Sequence, residues 1–341
     1  MRAPRALAVA IRRSTGHIVV RDEPWQPLWS GASYRKWPVV RGALVLVESL
    51  LNGYRALGFA AEEAEADAHG RPPRTRTWSV CLGLHGSIAG ALVGIGSGGP
   101  SRGASVGPLL ASLAFAMALF VGLPHLLTWL IGQWVGGGWD VDSFWFHAVD
   151  GIIKLGIFVA YVWGIGQIPE IRRVFEFHGA EHKVVNAFER GRTLDMDEVR
   201  RQETFHARCG TSFMLFVLVL SILAFGAILP LLPPVSDHPL LRQLGTILIK
   251  IPLMLPLAGL AYEVNRWAAQ HPGSGWVALL VSPGRAMQKL TTREPDDAQL
   301  EVALVALRVA LAREAAPAAP GASVQVYPSF AAWEAEAGEP D

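Results

Sequence analysis

Cysteine and charge are both scarce in this sequence of 341 residues, which has two cysteines and only 17% charged residues. Cys81 and Cys209 lie far apart and in no repeated spacing, which argues against a disulfide-stapled secreted scaffold and for a reducing environment. Thirty basic and 29 acidic residues nearly cancel, to a net charge of +1. With no polyelectrolyte field, nucleic acid is not an expected partner. There is no phosphate-cradling glycine loop, no G-x-S-x-G elbow and no aromatic platform for bases. The basic opening MRAPRALAVAIRR has an apolar core too short for a secretory leader and no small-residue cleavage site after it, so it reads as mature sequence.

Apolar residues are abundant, at 51% of the chain, with a mean hydropathy of +0.30. This is more than an ordinary soluble domain carries. Four stretches approach the roughly 20 apolar residues needed to cross a bilayer core of about 30 Å. They are VGPLLASLAFAMALFVGLPHLLTWLIG, FWFHAVDGIIKLGIFVAYVWGIG, TSFMLFVLVLSILAFGAILPLL and LGTILIKIPLMLPLAGLAYEV. Prolines inside the first and last are expected to kink them. The shorter, glycine-rich LGLHGSIAGALVGIGSGG is not counted as a span.

Basic residues set the expected orientation. Arg71, Arg74, Arg76 and Arg102 precede the first span, eight lysines and arginines from Arg172 to Arg208 separate spans two and three, and Arg266, Arg285, Lys289 and Arg293 follow the fourth. The other two connections hold a single arginine, Arg242. The expected localisation is therefore a cell inner membrane, multi-pass, with both termini and the middle connection cytoplasmic.

Around the spans, ALAVAIRRSTGHIVVRDEPW alternates apolar and polar residues about Gly16 and reads as a β-hairpin. VVRGALVLVESLLNGYRALGF has helical apolar spacing and reads as an amphipathic helix. The expected fold is a mainly α membrane protein with about four transmembrane helices and a small cytoplasmic α+β part. Its expected organisation is a hairpin and amphipathic helix over 1–60, a linker over 61–105, the membrane region over 106–265 with a histidine-bearing loop at 170–210, a helical segment over 266–314, and a disordered tail over 315–341. In the helical segment Leu300, Leu304, Leu307 and Leu311 share a docking face, with Asp296 or Asp297 as cap. Asp150 and Lys154, four apart, fit an ion pair or a snorkelling lysine, and Lys250 lies within the fourth span.

The chemistry concentrates in HGAEH. His178 and His182 share a helical face and can hold one metal ion from consecutive turns, with Glu181 adjoining them. H-x-x-E-H is the inverzincin pattern, in which two histidines bind zinc and the glutamate acts as general base. A third ligand is expected from His206 or Cys209 on one segment or Glu263 on another, so that with the histidine pair three separate segments meet at the same membrane face. The competing reading is interfacial polar decoration, with Glu181 paired to Lys183 or a nearby arginine.

RVFEFHGAEHKVVNAFERG, HARCGTSF, AYEVNR and LTTREPDDAQLEVAL, with the amphipathic stretch and FVGLPHLL, resemble the YqhQ-like family of bacterial multi-pass membrane proteins. This is a domain of unknown function labelled a predicted metal-dependent enzyme. The resemblance extends to about Arg313 and implies a metal site over His178, Glu181, His182, His206, Arg208, Cys209 and Glu263. Ala207 stands where the family carries a proline, which should loosen that turn without removing a ligand. A glycine-rich segment usually precedes the hairpin in the family, and this chain starts about where that segment ends.

The expected function is a metal-dependent hydrolase, with Glu181 as base and a divalent ion, zinc by ligand type. It would act on a lipid-linked or membrane-protein substrate at the cytoplasmic face. The alternative is a non-enzymatic membrane-protein assembly or quality-control factor, in which His178, His182, His206 and Cys209 close a structural site. Transport, through Lys154 and Lys250, is a third reading.

Overall fold

The computed structural model describes residues 1–25, 37–70, 111, 114–135, 143–207, 209–233, 236, 238–271, 275–316 and 321–338. Cys81, Arg208 and most of the expected linker lie outside them. Two strands, β1 (Ala6–Arg12) and β2 (Ile18–Pro24), pair antiparallel from Ala6 opposite Pro24 to Arg12 opposite Ile18. Gly16 turns the hairpin at φ +88°, a left-handed conformation that suits glycine. Helix α1 (Pro38–Ala68) follows, longer than the amphipathic stretch alone and reaching into the segment expected to be linker.

Among the described residues, four helices are long and apolar enough to cross a membrane, over Ala114–Trp134, Phe144–Ile165, Gly210–Leu231 and Gly245–Ala268. The first contains a π-helical turn at Ala118–Gly122 followed by α2 (Leu123–Trp134); the second is α3 (Phe144–Ile165), the third α6 (Gly210–Ile228), and the fourth lies in α7 (Pro239–Gln270). No more than 22% of any span's apolar window is buried within the protein, so most of that surface faces the bilayer. Tryptophans mark the span ends as interfacial belts do. Trp134 and Trp145 are exposed at one end of the bundle, Trp163 and Trp267 at the other. The π-turn precedes Pro124, and Pro252 and Pro256 lie inside an unbroken α7, as membrane helices allow where neighbours resatisfy the backbone. Inside the bundle Lys154 Nζ lies 3.1 Å from Asp150 Oδ2, so the i,i+4 pair forms. Lys250 stands over the Phe225 ring at 5.5 Å.

The remaining elements gather at one end of this bundle. They are α4 (Pro169–Glu189), α5 (Met196–Arg201), α8 (Gly275–Thr291), α9 (Asp297–Ala315), β3 (Ser323–Tyr327) and α10 (Phe330–Ala337). Helix α9 organises them. Asp296 caps it in a reciprocal capping box with Gln299, and Leu300, Leu304 and Leu307 pack on Ala180, Val184 and Ala187 of α4 and Val199 of α5. Its opposite face buries Val305 and Ala310 against the sheet. The stripe of leucines therefore accounts for one side of its packing, and Val305 and Ala310 for the side against the sheet.

Two expectations are corrected here. The tail is not disordered throughout: Ser323–Tyr327 pairs antiparallel with β2 to make a three-stranded sheet, and Trp333 of α10 is buried beneath it. Asp22 anchors this return by bonding both Arg313 and Ser323. The connection between spans two and three is mostly helix rather than loop, and Lys183, expected beside Glu181, is buried and pairs with Glu294 and the Arg200 carbonyl instead.

Helix α1 docks on α7 where two glycines let the backbones meet. A Cβ on Gly259 would lie 2.1 Å from the Val39 carbonyl oxygen, and one on Gly42 2.6 Å from the Gly259 oxygen. Gly259→Ala is expected to cost about 1–3 kcal/mol through overpacking, read as a lower unfolding temperature in detergent and faster proteolysis of α1. Gly53, on the same helix with open space around it, serves as control: Gly53→Ala should be neutral or stabilising by up to ~1 kcal/mol. Equal losses from the two changes would contradict the close approach.

Candidate metal centre

Helix α4 starts at Pro169, whose fixed φ suits the first helical position, and carries His178 and His182 one turn apart on the face turned to α8 and to the chain at 203–209. Gly179 makes this possible. A Cβ there would fall 2.0 Å from the carbonyl oxygen of Arg293, so only glycine lets α4 approach the chain leaving α8. That approach sets His178 Nδ1 2.8 Å from the Thr291 carbonyl, and His182 Nδ1 2.5 Å from the Thr204 carbonyl. A ring whose Nδ1–H donates to a carbonyl presents Nε2 as a lone pair in its neutral form, the orientation found in metal-ligating histidines.

Both rings converge on Cys209. His178 Nε2 lies 3.2 Å from its Sγ, and the two imidazole centroids are 4.4 Å apart. One ligand atom from each of His178, His182 and Cys209 lies within 4.8 Å of the others, the single such group of three or more among the described residues. Donors around a tetrahedral zinc stand roughly 3.3–3.6 Å apart, given Zn–N of about 2.0–2.1 Å and Zn–S of about 2.3 Å. The trio therefore needs only a small contraction to take an ion, and its two imidazoles and thiolate suit zinc.

Cys209 is the N-cap of α6, its sulfur accepting from the Thr211 N–H at 3.4 Å and lying 3.1 Å from the Thr211 hydroxyl. Burial pushes its thiol up, but bonds from His178, His182 and Thr211 outweigh that and bring it from 9.0 to about 5. For His178, burial favours the neutral ring; the bond to Cys209, the thiolate charge, the Thr291 carbonyl and Glu181 together raise it above 6.5.

The other sequence candidates fall differently. His206 packs its ring 5.5 Å from that of His182, centroid to centroid, but its Nε2 stands 3.3 Å from Glu189 Oε2 and is outside the trio. Glu263 is held bidentately by Arg41, Nε to Oε1 at 3.0 Å and Nη2 to Oε2 at 2.5 Å, and it fastens α1 to α7 rather than joining the centre. Glu181 is exposed on α4, near enough to His178 to favour its charged form and to oppose the effect of burial on the Met1 ammonium.

Two buried residues that the sequence did not single out hold residues 203–206 in place. Asn186 donates to the carbonyls of Glu203 and Phe205, at 2.9 and 2.8 Å. Gln288 accepts from the His206 N–H at 3.0 Å and donates to the His206 carbonyl at 2.8 Å and to the Ser212 hydroxyl at 2.7 Å. Asn186, four residues past His182 on the helical face already identified, was the one signal available; nothing local marks Gln288.

Fold and site together define a polytopic helical membrane protein with a His/His/Cys centre at the end where its extramembrane elements gather. Residues 37–313 match the family described as "Protein of unknown function (DUF1385)", and the chain belongs to that family. It is similar to the "Uncharacterized protein YqhQ" of Bacillus subtilis (strain 168), 28% identical over 306 residues that make up 90% of this chain and 87% of the relative. No solved structure matches it.

The thiolate can be titrated directly by its ultraviolet absorbance in metal-free protein. Because the folded value is depressed, thiolate should prevail above about pH 5 and be lost below it. His178→Ala, which removes the leading stabilising bond, should move the transition upward. In a Cys81→Ser background, where Cys209 is the sole thiol, a transition near the ordinary thiol value would contradict the geometry.

Proposed function

We propose that this protein is a metal-dependent hydrolase of the bacterial inner membrane, with its centre and both termini on the cytoplasmic side. The observation that carries the reading is the pair of histidines whose Nδ1 atoms are engaged by the carbonyls of Thr291 and Thr204 while their rings converge on Cys209. Neutral imidazole held by a backbone acceptor is how proteins orient zinc ligands, and three protein ligands leave the open position of a catalytic rather than a structural site. The engagement of His206 with Glu189 argues against a closed four-ligand knot. The dense basic residues flanking spans two and three support a cytoplasmic centre.

In this reading His178, His182 and Cys209 hold the ion, Asn186 and Gln288 position the chain that carries Cys209, and Glu181 is the general base. When bound, the ion supplies Lewis acidity at the scissile bond. Glu181, solvent-facing beside the histidines, takes a proton from the attacking water and returns it to the leaving group.

Metal analysis of purified protein tests the site. Unaltered chain reconstituted with zinc should hold one equivalent; His178→Ala and Cys209→Ser should lose it; Glu181→Gln and Glu263→Gln should keep it. Gln288→Ala should weaken affinity about 10–100-fold, as changes to residues supporting ligands do. Failure of the unaltered protein to bind zinc sinks the proposal. An assembly factor with a structural ion predicts that Glu181→Gln still complements cells lacking the gene, whereas the hydrolase predicts that it does not.

A further inference from the structure

A cavity of about 720 Å³ lies among the membrane helices, lined by apolar and aromatic side chains of α1, α3, α6, α7 and the π-helical turn, with Lys154 as its one charged residue. Its volume falls within the roughly 300–1,000 Å³ of small-molecule sites. Its near end is formed by Phe213 and Met214. The Phe213 N–H donates to the Cys209 carbonyl at 3.3 Å, so the wall begins one helical turn from the sulfur. Along α3 it runs from Tyr161 to Lys154, seven residues or about 10 Å at 1.5 Å per residue, and stops in mid-span. Leu255 and Ile251 on its wall are 52% and 60% exposed, so it opens sideways to the bilayer.

Three features select the occupant. Surroundings of membrane spans and a greasy wall require a hydrocarbon guest. A transmembrane peptide helix, about 10 Å wide, needs a groove through the whole core of about 30 Å, whereas this one covers about a third. The charge at the far end is already paired, Lys154 with Asp150 at 3.1 Å, so a polar head has no reason to go there and belongs at the end by Cys209.

We infer that the substrate of the His/His/Cys centre is a lipid of the adjoining leaflet, its hydrocarbon chain seated in this cavity and its polar head presented to His178 and Cys209. The inference rests on the hydrolase reading for the word substrate; the chain-binding cavity stands without it.

The test uses full-length protein in vesicles of phosphatidylethanolamine and phosphatidylglycerol containing a trace of phospholipid with a photoactivatable diazirine in its acyl chain. Cross-links are mapped by mass spectrometry. A diazirine near the ester is expected to label Phe213 and Met214, and one near the chain end Ile251 and Leu255. Val217→Trp, which fills the cavity from its wall, should abolish most of this labelling while leaving zinc content and the labelling of lipid-facing Leu223 unchanged. Ala258→Trp, from α7, gives a second filled cavity should the first variant fold poorly. Labelling of the lining no greater than that of Leu223, or undiminished by either filling variant, overturns the inference. His178→Ala separates the two claims: it should lose zinc and keep the cross-links, so a failed metal site and a failed lipid cavity give different results.

Discussion

The hydrogen bond between His178 and the carbonyl of Thr291 is the contact on which the centre depends. It ties α4, the helix bearing both histidines, to the last turn of α8, and so joins the segment between spans two and three to the segment after span four. It exists because Gly179 leaves the Arg293 carbonyl room to approach, and because Phe175 accepts the Arg293 N–H at 2.9 Å one turn earlier. With Nδ1 engaged there, Nε2 has one direction left, towards Cys209. The orientation of the two imidazoles is thus set by backbone carbonyls as much as by the cluster itself.

The rest of the extramembrane body keeps that contact in register. Helix α9 is buried on two sides, by α4 and α5 through Leu300, Leu304 and Leu307 and by the sheet through Val305 and Ala310. The N-terminal hairpin and the C-terminal strand close over it, joined at Asp22. Segments from the beginning, middle and end of the chain therefore share one core. The polar clamps at Asn186 and Gln288 then fix the short stretch ending in Cys209 against two helices. Cys209 sits where that body meets the bundle, as the cap of a membrane span whose next turn opens on the apolar cavity.

Local pattern made much of this legible. Twenty-residue apolar runs gave four spans, alternation about Gly16 gave the hairpin, and the i,i+4 histidines gave a shared face. The capping residue Asp296 and the leucine face of α9 follow from the same periodicities. Choosing among His206, Cys209 and Glu263 as third partner was beyond local pattern, because all three lie at the same end of the bundle and only packing decides. Arg41, 222 residues from Glu263, removes that carboxylate from the site, and Glu189 draws off the ring of His206. The tail departs from its expected disorder for a related reason. Its alanine, proline and acidic composition imitates disorder, whereas five residues of strand and one tryptophan suffice once β2 and α9 offer an edge and a pocket. Gln288 carries no signal of its own, since its role comes from facing His206 across 82 residues of sequence.

X-ray absorption at the zinc edge of the reconstituted, membrane-embedded protein addresses the central claim most directly. A shell of one sulfur at about 2.3 Å and two imidazole nitrogens at about 2.0–2.1 Å, with one lighter donor completing four, is what convergence of Cys209, His178 and His182 requires. A shell without sulfur, or one built from oxygen donors alone, would place the ion elsewhere and leave the His/His/Cys cluster without the role assigned to it.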